Sequence, residues 1–592
     1  MPHSQTTSPQ TKLPGTATSS DNSGCPMSPV VGDLGRVPHP SRSRRWNERV
    51  GFSILLGLLT SVLLDFCFPV AGPMPRWRSL LAFVALVPLL YALLNDCFAA
   101  HPRYFRRAAL VGYASGVLWY ILNCYWIYQT MLYYGHVPPP GAAGIVVLFA
   151  LVLGLYFGLF ALLLAFFRRR LGLTAALGLA PFLWTAIDLA AARITSVPWD
   201  QLGYSQVDHA ALTAIGPIAG VYGVTFLLVA GNALLAALWI TRKPLSASVR
   251  TIITVLAFAG LWLLGRWHPA PSPTSTYAVL LQPNIDVEPP DNWIGPEWQG
   301  NINFLTSAAT ETCTPAFPGM PEPKSPPPGQ GCPQNTPPPG VVLWPEVGSW
   351  MQSNDPRTLA LLRTVATTAH APFIAGMVGQ DSQGTYNSAV FVQPNGAVAG
   401  RYDKIHLVPF GEYVPYRDLF FFAHHLTRQV GDFTRGRGRT PFLAHTASGP
   451  HTFGVFICYE SVFGDEIRHF ALNGAQVLVN LSDDGWYGDT SAPWQHLNMA
   501  RMRAIENRRW ILRDTNNGVT TVIDPEGRVT FSAPRHTLTS LTARYGYRSD
   551  LTFYTRHGDL FAWLCSVVTL AALAVAVRNK TASSQAQRRP VT

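Results

Sequence analysis

Long apolar stretches alternate with short polar segments through the first half of the chain. Seven such stretches precede residue 270, at residues 50–70, 79–99, 107–132, 142–167, 171–193, 213–241 and 250–267. Most of them reach the roughly 20 helical residues that cross a bilayer. An eighth stretch follows at 559–577. The pattern predicts a transmembrane bundle of eight helices, of which seven lie within residues 46–270.

The pattern changes between the seventh and eighth stretches. Residues 274–548 are polar and rich in Gly and Pro, with short apolar runs at 277–281, 341–343 and 477–480. Apolar runs of this length, bounded by turn residues, are typical of buried strands. We therefore expect a folded domain between the last two spans.

Three polar segments are predicted to lie outside the folded parts. Residues 1–45 are rich in Ser, Thr, Pro and Gly and have no short apolar segment near the start, which predicts a disordered head rather than a signal peptide. Residues 578–592 form a polar tail, and residues 311–340 form an insert dense in Pro and Gly. Cys313 and Cys332 flank most of this insert, either as a disulfide in an oxidising compartment or as two free thiols.

Composition supports a membrane part joined to a folded domain. Hydrophobic residues make up 48% of the chain and charged residues only 13%, whereas soluble domains carry about 25% charged residues. The 49 Gly and 49 Pro residues indicate a sizeable part that is not helical.

The net charge of +11 is concentrated beside the apolar stretches. Five basic clusters precede, separate or follow the spans: Arg42, Arg44, Arg45 and Arg49; His101, Arg103, Arg106 and Arg107; Arg168, Arg169 and Arg170; Arg242, Lys243 and Arg250; Arg578, Lys580, Arg588 and Arg589. With eight spans all five face one side, which the positive-inside rule makes the cytoplasm. The domain at 274–548 is then extracytoplasmic. Arg76 and Arg78, between the first two spans, are the exception to this charge pattern. The distribution also argues against a nucleic-acid binder, which would gather its positive charge on one folded face.

Three segments of the domain carry candidate chemistry. Glu346 ends the apolar run VVLWPE (341–346), and Cys458 ends the run in FGVFICYES (453–461). Lys404 and Glu412 lie in YDKIHLVPFGEYVP (402–415), whose Pro and Gly residues indicate a shaped loop. Catalytic groups are often presented on loops that a rigid scaffold positions.

A cysteine attacks a carbonyl group as its thiolate, which requires a base or a cation nearby. Glu346 would accept the thiol proton, and Lys404 would stabilise first the thiolate and then an oxyanion. Glu412 and Glu460 would orient the lysine or tune its charge. Taken singly, a cysteine at a strand end is more often a small buried hydrophobe, so only the combination indicates a nucleophilic enzyme.

The order Glu346, Lys404, Cys458, with steps of 58 and 54 residues, resembles the nitrilase superfamily. The strings KIHLVPFGEYVP (404–415) and DDGWYGDTSAPWQHLNMARMRAIENRRWILRDTNNG (483–518) narrow the resemblance. Together with seven apolar spans before the domain and one after it, they resemble the bacterial apolipoprotein N-acyltransferase family over about residues 50–577. The resemblance implies that the domain is an α-β-β-α sandwich.

The resemblance also implies roles for individual residues. Glu346 would be the general base, Lys404 the lysine that stabilises the oxyanion, and Cys458 the nucleophile that accepts the acyl group. The supporting and substrate-binding residues that it marks are Glu412, Tyr459, Glu460 and either Trp293 or Trp298. Asp483 departs from the family pattern, which has Asn there, so a hydrogen-bond donor is lost.

The reaction that the family resemblance implies moves an acyl chain between two lipids. A phospholipid, typically phosphatidylethanolamine, acylates Cys458, and the thioester is attacked by the α-amine of the S-diacylglyceryl cysteine of an apolipoprotein. This occurs at the outer face of the bacterial inner membrane. No metal or other cofactor is expected, because His424, His425 and His496 lack the spacing of a metal site.

Two alternatives stay open at this stage. A membrane-anchored carbon-nitrogen hydrolase (amidase) would share the three catalytic residues and use water as acceptor, although a single span would anchor it. A transporter with an outer domain that only binds ligand would need charged groups in its spans. Asp65, Asp96 and Asp188 are the main candidates for such groups, and they are not paired in the sequence.

Overall fold

The computed structural model describes residues 42–240, 269–287, 298–310, 337–346, 351–413 and 433–586, together with parts of 251–267. Several predicted features lie outside the described residues. They are most of the head, residues 311–336 of the insert with Cys313 and Cys332, Trp293, and the end of the tail.

The first part of the chain is helical. Its α-helices are α1 (Arg42–Phe66), α2 (Val87–Leu94), α3 (Asp96–Ala99), α4 (Tyr104–Asn123), α5 (Trp126–Tyr133), α6 (Pro139–Leu171), α7 (Leu173–Ile194), α8 (Ala210–Thr213) and α9 (Gly216–Ile240). Two 3₁₀ helices, Arg76–Phe83 and Leu202–Gln206, lie between them. After the domain come α14 (Phe553–His557) and the apolar α15 (Leu560–Ala586).

Within the described residues, five helical segments are long and apolar enough to cross a membrane. They are Arg76–Leu94, Pro139–Leu171, Leu173–Ile194, Gly216–Ile240 and Leu560–Asn579. The pair α4 and α5, bent by 52°, makes a sixth if it is one span, and the apolar part of α1 (Gly51–Phe66) is shorter. The predicted stretch at 250–267 is described only in part. The chain is therefore a membrane protein, while the predicted count of eight spans is not established.

Small residues let α4 and α6 approach closely. Gly112 and Gly116 lie one turn apart on α4, as do Gly154 and Gly158 on α6. A Cβ atom at Gly112 would lie 2.4 Å from the Cβ of Ala161, on α6, and 2.5 Å from a backbone oxygen. Because lipid removes the hydrophobic force between helices, such pairs depend on van der Waals packing at close range.

The domain contains two six-stranded sheets. Its strands are β1 (Thr276–Gln282), β2 (Val341–Trp344), β3 (Phe373–Asp381), β4 (Gly384–Val392), β5 (Val398–Asp403), β6 (Phe442–Thr446), β7 (Gly449–Ile457), β8 (Val477–Ser482), β9 (Trp510–Thr515), β10 (Thr521–Ile523), β11 (Val529–Ser532) and β12 (Thr539–Tyr545). The strand orders are β12-β1-β2-β3-β4-β5 and β11-β10-β9-β8-β7-β6. In each sheet three parallel strands, β1-β2-β3 or β7-β8-β9, are extended by antiparallel ones.

Successive side chains of a strand point to opposite faces of the sheet, and both faces are covered here, which explains why the strands are continuous apolar runs in the sequence. Leu280 and Leu343 belong to the core that β1 and β2 share with the second sheet, whereas Val279 and Val342 pack beneath helices on the outer face. Those helices are α10 (Trp298–Thr310) and α11 (Pro356–Ala369), and the second sheet is covered by α12 (Gly464–Leu472) and α13 (Ala492–Asn507). Strands covered on both faces are apolar throughout, and the layers form the predicted α-β-β-α sandwich.

Helix α13 contacts the membrane part as well as the second sheet. The Glu506 carboxylate accepts a hydrogen bond of 2.9 Å from the backbone N–H of Val221 in α9. That N–H is freed because α9 is interrupted at Gly220, whose φ of +62° favours glycine. Five residues earlier on α13, Arg501 pairs with Asp208 at 2.6 Å. The domain and the membrane helices therefore share one buried helix.

The close contact of α4 with α6 predicts a stability difference between two glycines. Gly112→Ala should lower the melting temperature of the detergent-purified chain, because the added methyl group meets α6 at 2.4 Å. Gly144→Ala on α6 is the matched control, since a Cβ there meets nothing within 4 Å and alanine has the higher helix propensity. Equal melting temperatures for the two variants would contradict the packing described.

Candidate active site

Glu346, Lys404 and Cys458 each follow a strand. Glu346 comes two residues after β2, and Lys404 and Cys458 come directly after β5 and β7. The Nζ of Lys404 lies 3.4 Å from Oε1 of Glu346 and 3.0 Å from Oε1 of Glu412. The Cys458 thiol interacts electrostatically with both Glu346 and Lys404. The structure thus brings together the three predicted catalytic residues and the supporting Glu412.

The Lys404 ammonium is buried, with 1% of its side chain exposed. Burial disfavours its charge, but the Glu346 and Glu412 carboxylates outweigh that effect and raise the pKa of Lys404 above its usual value. Glu412 is fixed by the backbone N–H of Val408, which donates to its Oε2 at 2.7 Å. The lysine is therefore a permanent positive charge within the site.

Asn387, which the sequence did not reveal, links the two carboxylates. Its Nδ2 donates to Oε1 of Glu346 and to Oε1 of Glu412, both at 2.7 Å. It lies inside β4, next to Ser388 in the polar first half of the strand, where no motif marks it. Its amide stabilises negative charge on both glutamates without adding a formal charge.

Cys458 occupies a sharp turn from β7 into the 3₁₀ helix Cys458–Val462. Its φ is +49°, which is uncommon for a residue other than glycine and persists only where surrounding contacts hold it. Burial and the Glu346 carboxylate hold the pKa of the thiol well above its usual range, while Lys404 and a hydrogen bond with Ser482 oppose them. The resting group is therefore a neutral thiol beside the Glu346 carboxylate.

Glu460 ties the loop that carries Lys404 to the turn that carries Cys458. One carboxylate oxygen accepts hydrogen bonds from the backbone N–H groups of Ile405, at 2.7 Å, and His406, at 3.1 Å. The other accepts from the N–H of Ile457 at 2.7 Å, and the Tyr402 hydroxyl donates to both oxygens. Glu460 therefore fixes the backbone on both sides of the site, and these bonds do not involve the Lys404 ammonium.

Tyr459 and Trp298 occupy different surroundings. The Tyr459 hydroxyl donates to the carbonyl of Ser196 in the membrane part at 2.8 Å. Trp298 opens α10 and is 6% exposed, with its ring in the outer core and the Arg357 guanidinium 4.9 Å above it. The described contacts of Trp298 are therefore with the outer core and Arg357.

Asp483 stands where the family pattern has Asn. Its backbone N–H donates to Oε2 of Glu346 at 2.8 Å, and its side-chain oxygens accept from the N–H of Gly485 and from Nδ2 of Asn516. Burial and the neighbouring Glu346 raise the pKa of Asp483 to about 8. At neutral pH the side chain is therefore mostly uncharged, as an asparagine would be.

Beneath the turn, His496 contacts the Cys458 carbonyl oxygen through Nε2 at 3.0 Å. The sequence had suggested His496 only as an improbable metal ligand. Its place within the long block at 483–518 was the available signal for a role near the nucleophile.

The arrangement places a thiol beside a carboxylate and a fixed cation. Glu346 is held by Asn387 and by the N–H of Asp483, so one carboxylate is positioned to exchange a proton with the thiol. Lys404 provides a charge for an oxyanion that forms next to the sulfur. This set is suited to acyl transfer through a thioester.

Two family models match separate parts of the chain. The model described as "Carbon-nitrogen hydrolase" matches residues 336–545, and the one described as "Apolipoprotein N-acyltransferase N-terminal domain" matches residues 61–234. The first covers most of the sandwich with Glu346, Lys404 and Cys458, and the second covers much of the membrane part. The domain is therefore nitrilase-like. Among solved structures, the Nit3 protein of Saccharomyces cerevisiae, "a member of branch 10 of the nitrilase superfamily", is 17% identical with a TM-score of 0.33, over 47% of this chain and 92% of its own.

Full-length relatives give the same result. The protein named "Apolipoprotein N-acyltransferase" from Methylococcus capsulatus is 32% identical over 90% of this chain and 98% of its own length. The protein of that name from Geobacter metallireducens is 30% identical over 90% of this chain and 96% of its own. Such identity over nearly the whole of each chain shows that this protein belongs to the apolipoprotein N-acyltransferase family.

Proposed function

We propose that the protein transfers an acyl chain from a phospholipid, through a thioester on Cys458, to the α-amine of the S-diacylglyceryl cysteine of an apolipoprotein. The observation that carries the proposal is the set of Cys458, Glu346 and Lys404, in which the thiol and the ammonium are buried. It lies in a domain that shares helix α13 with the membrane part. Family membership supports both lipid substrates.

The charges of the site favour a proton transfer that is coupled to attack. With one ammonium and two carboxylates, the site carries a net charge of −1 before any thiolate forms. Passing the thiol proton to Glu346 leaves that net charge unchanged. The sulfur then attacks the ester carbonyl, Lys404 stabilises the oxyanion, and the C–O bond to glycerol breaks while Glu346 returns the proton to the leaving oxygen. The products are a lysophospholipid and a thioester.

The second half-reaction reuses the same groups. The neutral α-amine attacks the thioester, and Glu346 accepts a proton from the nitrogen. Lys404 again stabilises the oxyanion, the C–S bond breaks, and the proton on Glu346 returns to the Cys458 sulfur. The two substrates react in turn, which gives ping-pong kinetics.

The membrane arrangement is part of the proposal. We infer eight spans with the domain at 274–548 on the periplasmic side of the inner membrane. The described helices and the five basic clusters support this topology. The bond from Tyr459 to Ser196 and that from Thr130 in α5 to the carbonyl of Trp486 keep the domain against the helices. A lipid ester in the outer leaflet would therefore meet the thiol without a long transfer through water.

An assay with labelled lipid tests the proposal against its rivals. The detergent-purified chain is mixed with phosphatidylethanolamine labelled in its acyl chains and a diacylated lipopeptide with a free amine. Label on the lipopeptide supports the transferase. Free fatty acid alone would indicate a hydrolase, and the absence of label on both protein and peptide would indicate a binding or transport protein.

Cys458→Ala should abolish acyl transfer and the protein-bound label, because no other group in the site forms a thioester. Its melting temperature should stay close to that of the original chain. Cys565→Ala in α15 is the matched control, since it removes another buried thiol outside the site. Acyl transfer by Cys458→Ala would sink the mechanism.

Glu346→Gln should separate thiol ionisation from catalysis. Acyl transfer should fall by about 100-fold or more, as loss of a general base does. The Cys458 thiol should nevertheless ionise at lower pH, because the Glu346 carboxylate raises its pKa and Lys404 remains. The measurement is the pH midpoint of Cys458 alkylation by iodoacetamide. A midpoint that is unchanged or higher than in the original chain would contradict this account of the site's charges.

Asp483→Asn should change the pH dependence of stability. With a pKa raised from 3.8 to about 8, folded Asp483 keeps a proton that the unfolded chain releases. The original chain therefore loses stability as pH rises between those values. The melting temperature of the variant, relative to the original chain, should increase from pH 5 to pH 8 in detergent. A difference that is constant with pH would show that Asp483 is ionised in the folded protein.

A further inference from the structure

A fully buried network of polar side chains lies beneath Cys458. Its residues have no role in the proposed reaction. His496 on α13 has no exposed surface, and neither do Asp484 and Arg513. The imidazole contacts the Cys458 carbonyl oxygen with Nε2 at 3.0 Å. Its Nδ1 lies 3.1 Å from both Oδ1 of Asp484 and Nη2 of Arg513. A buried group with this many partners is held in one orientation.

The partners determine the tautomer of His496. A carbonyl oxygen only accepts hydrogen bonds, so Nε2 must carry a hydrogen and donate it to Cys458. Burial and the Arg513 guanidinium lower the pKa of His496, so the ring is neutral and Nδ1 carries no hydrogen. Nδ1 therefore accepts from Nη2 of Arg513.

The other side chains of the network neutralise and bond the Arg513 guanidinium. Nη2 of Arg513 also donates to both carboxylate oxygens of Asp484, at 2.9 and 2.8 Å, and Nη1 donates to Asn480 on β8. The Ser482 hydroxyl donates to Asp484 at 3.0 Å. Burial opposes the Asp484 charge, but the Arg513 guanidinium outweighs that effect and holds the pKa of Asp484 below its usual value. The charges of Arg513 and Asp484 cancel. The network therefore supplies a fixed hydrogen-bond donor, the Nε2–H of His496, rather than a proton.

The donor meets the backbone at a residue in the left-handed region. Cys458 has φ +49°, and its carbonyl leaves the strand at that turn. A change in the direction of this carbonyl rotates the peptide plane and with it the Cα–Cβ bond that carries the sulfur. The bond from His496 therefore fixes where the thiol points relative to Glu346 and Lys404.

A ring from the membrane part covers the other side of the imidazole. Trp199 is 4% exposed and stacks on His496 with a centroid distance of 6.1 Å and an interplanar angle of 18°. Its Nε1 donates to Oε1 of Gln495 on α13 at 2.9 Å, which fixes the indole. The orientation of His496 thus depends on a residue of the loop after α7.

We propose that His496 is a positioning residue for the nucleophile. Its Nε2–H holds the Cys458 carbonyl, and with it the left-handed turn that aims the sulfur at Glu346 and Lys404, while Trp199 of the membrane part holds the imidazole. The proposal rests on the proposed acyl transfer, because thioester formation is the step that it affects.

Two conservative substitutions at residue 496 distinguish positioning from general support of the fold. Gln places its Nε2 the same number of bonds from Cβ as the Nε2 of histidine, whereas the Nδ2 of Asn corresponds to Nδ1. His496→Gln should therefore keep the rate of thioester formation within about threefold. His496→Asn should lower that rate about tenfold or more, with KM for phospholipid unchanged, since small misplacements of a reacting group are costly.

The test uses the full-length chain in detergent with labelled phosphatidylethanolamine, and single-turnover acylation of Cys458 is followed. His451→Leu is the control, because His451 is a stacked, bonded histidine with described contacts to Tyr547 and Gln476. Its acylation rate should not change. Equal rates for the Gln and Asn variants at residue 496, with matched melting temperatures, would overturn the proposal. No acylation in the original chain would instead refute the proposed function.

Trp199→Leu provides a second test, because the substituted residue lies in the membrane part rather than in the domain. It should slow acylation alone but have little further effect when combined with His496→Asn, because both changes act through the same bond. Multiplicative losses in the double variant would show that Trp199 acts by another route and would overturn the part of the proposal that assigns it to His496.

Discussion

The architecture depends on burying one ammonium between two carboxylates. Lys404 has almost no contact with water, and a buried charge is tolerated only where partners replace its solvation. Glu346 and Glu412 supply those partners from a strand end and a loop, and Asn387 within β4 bonds both carboxylates, so the sandwich must hold all of them in register. The resulting excess of one negative charge keeps the Cys458 thiol protonated until a substrate arrives. A thiol that is neutral at rest and beside its base is protected from side reactions of a free thiolate.

Helix α13 also fixes the position of the site relative to the membrane part. One face of this helix packs on the second sheet and carries His496 beneath the nucleophile, while other residues bond the loops and helices of the membrane part. A domain that only needed an anchor would not require such contacts. The loop after α7 contributes Ser196 to Tyr459 and Trp199 to His496, so the turn that carries the nucleophile is supported from both halves of the protein.

Much of the fold and of the candidate site could be predicted from the sequence. Apolar length predicted the membrane helices, and the ends of apolar runs predicted Glu346 and Cys458. The bend between α4 and α5 was not predicted, because both helices lie in one apolar stretch, 107–132. Asn387 was missed because it lies among other polar residues of β4 and belongs to no motif. His496 was missed because its partners Asp484 and Arg513 are 12 and 17 residues away. Glu460 was expected to orient the lysine or tune its charge. It does interact electrostatically with Lys404, but its hydrogen bonds go to backbone N–H groups and the Tyr402 hydroxyl, which depends on the geometry of two loops.

The central claim is that Cys458 carries an acyl group between two lipids. The most direct measurement is the mass of the Cys458 peptide after incubation with phosphatidylethanolamine, followed by a chase with a diacylated lipopeptide. The account predicts an increase equal to one acyl chain, which disappears as an equal amount of triacylated peptide forms, and which persists when the peptide amine is acetylated beforehand. Triacylated peptide that forms while Cys458 stays unmodified at every time point would contradict it.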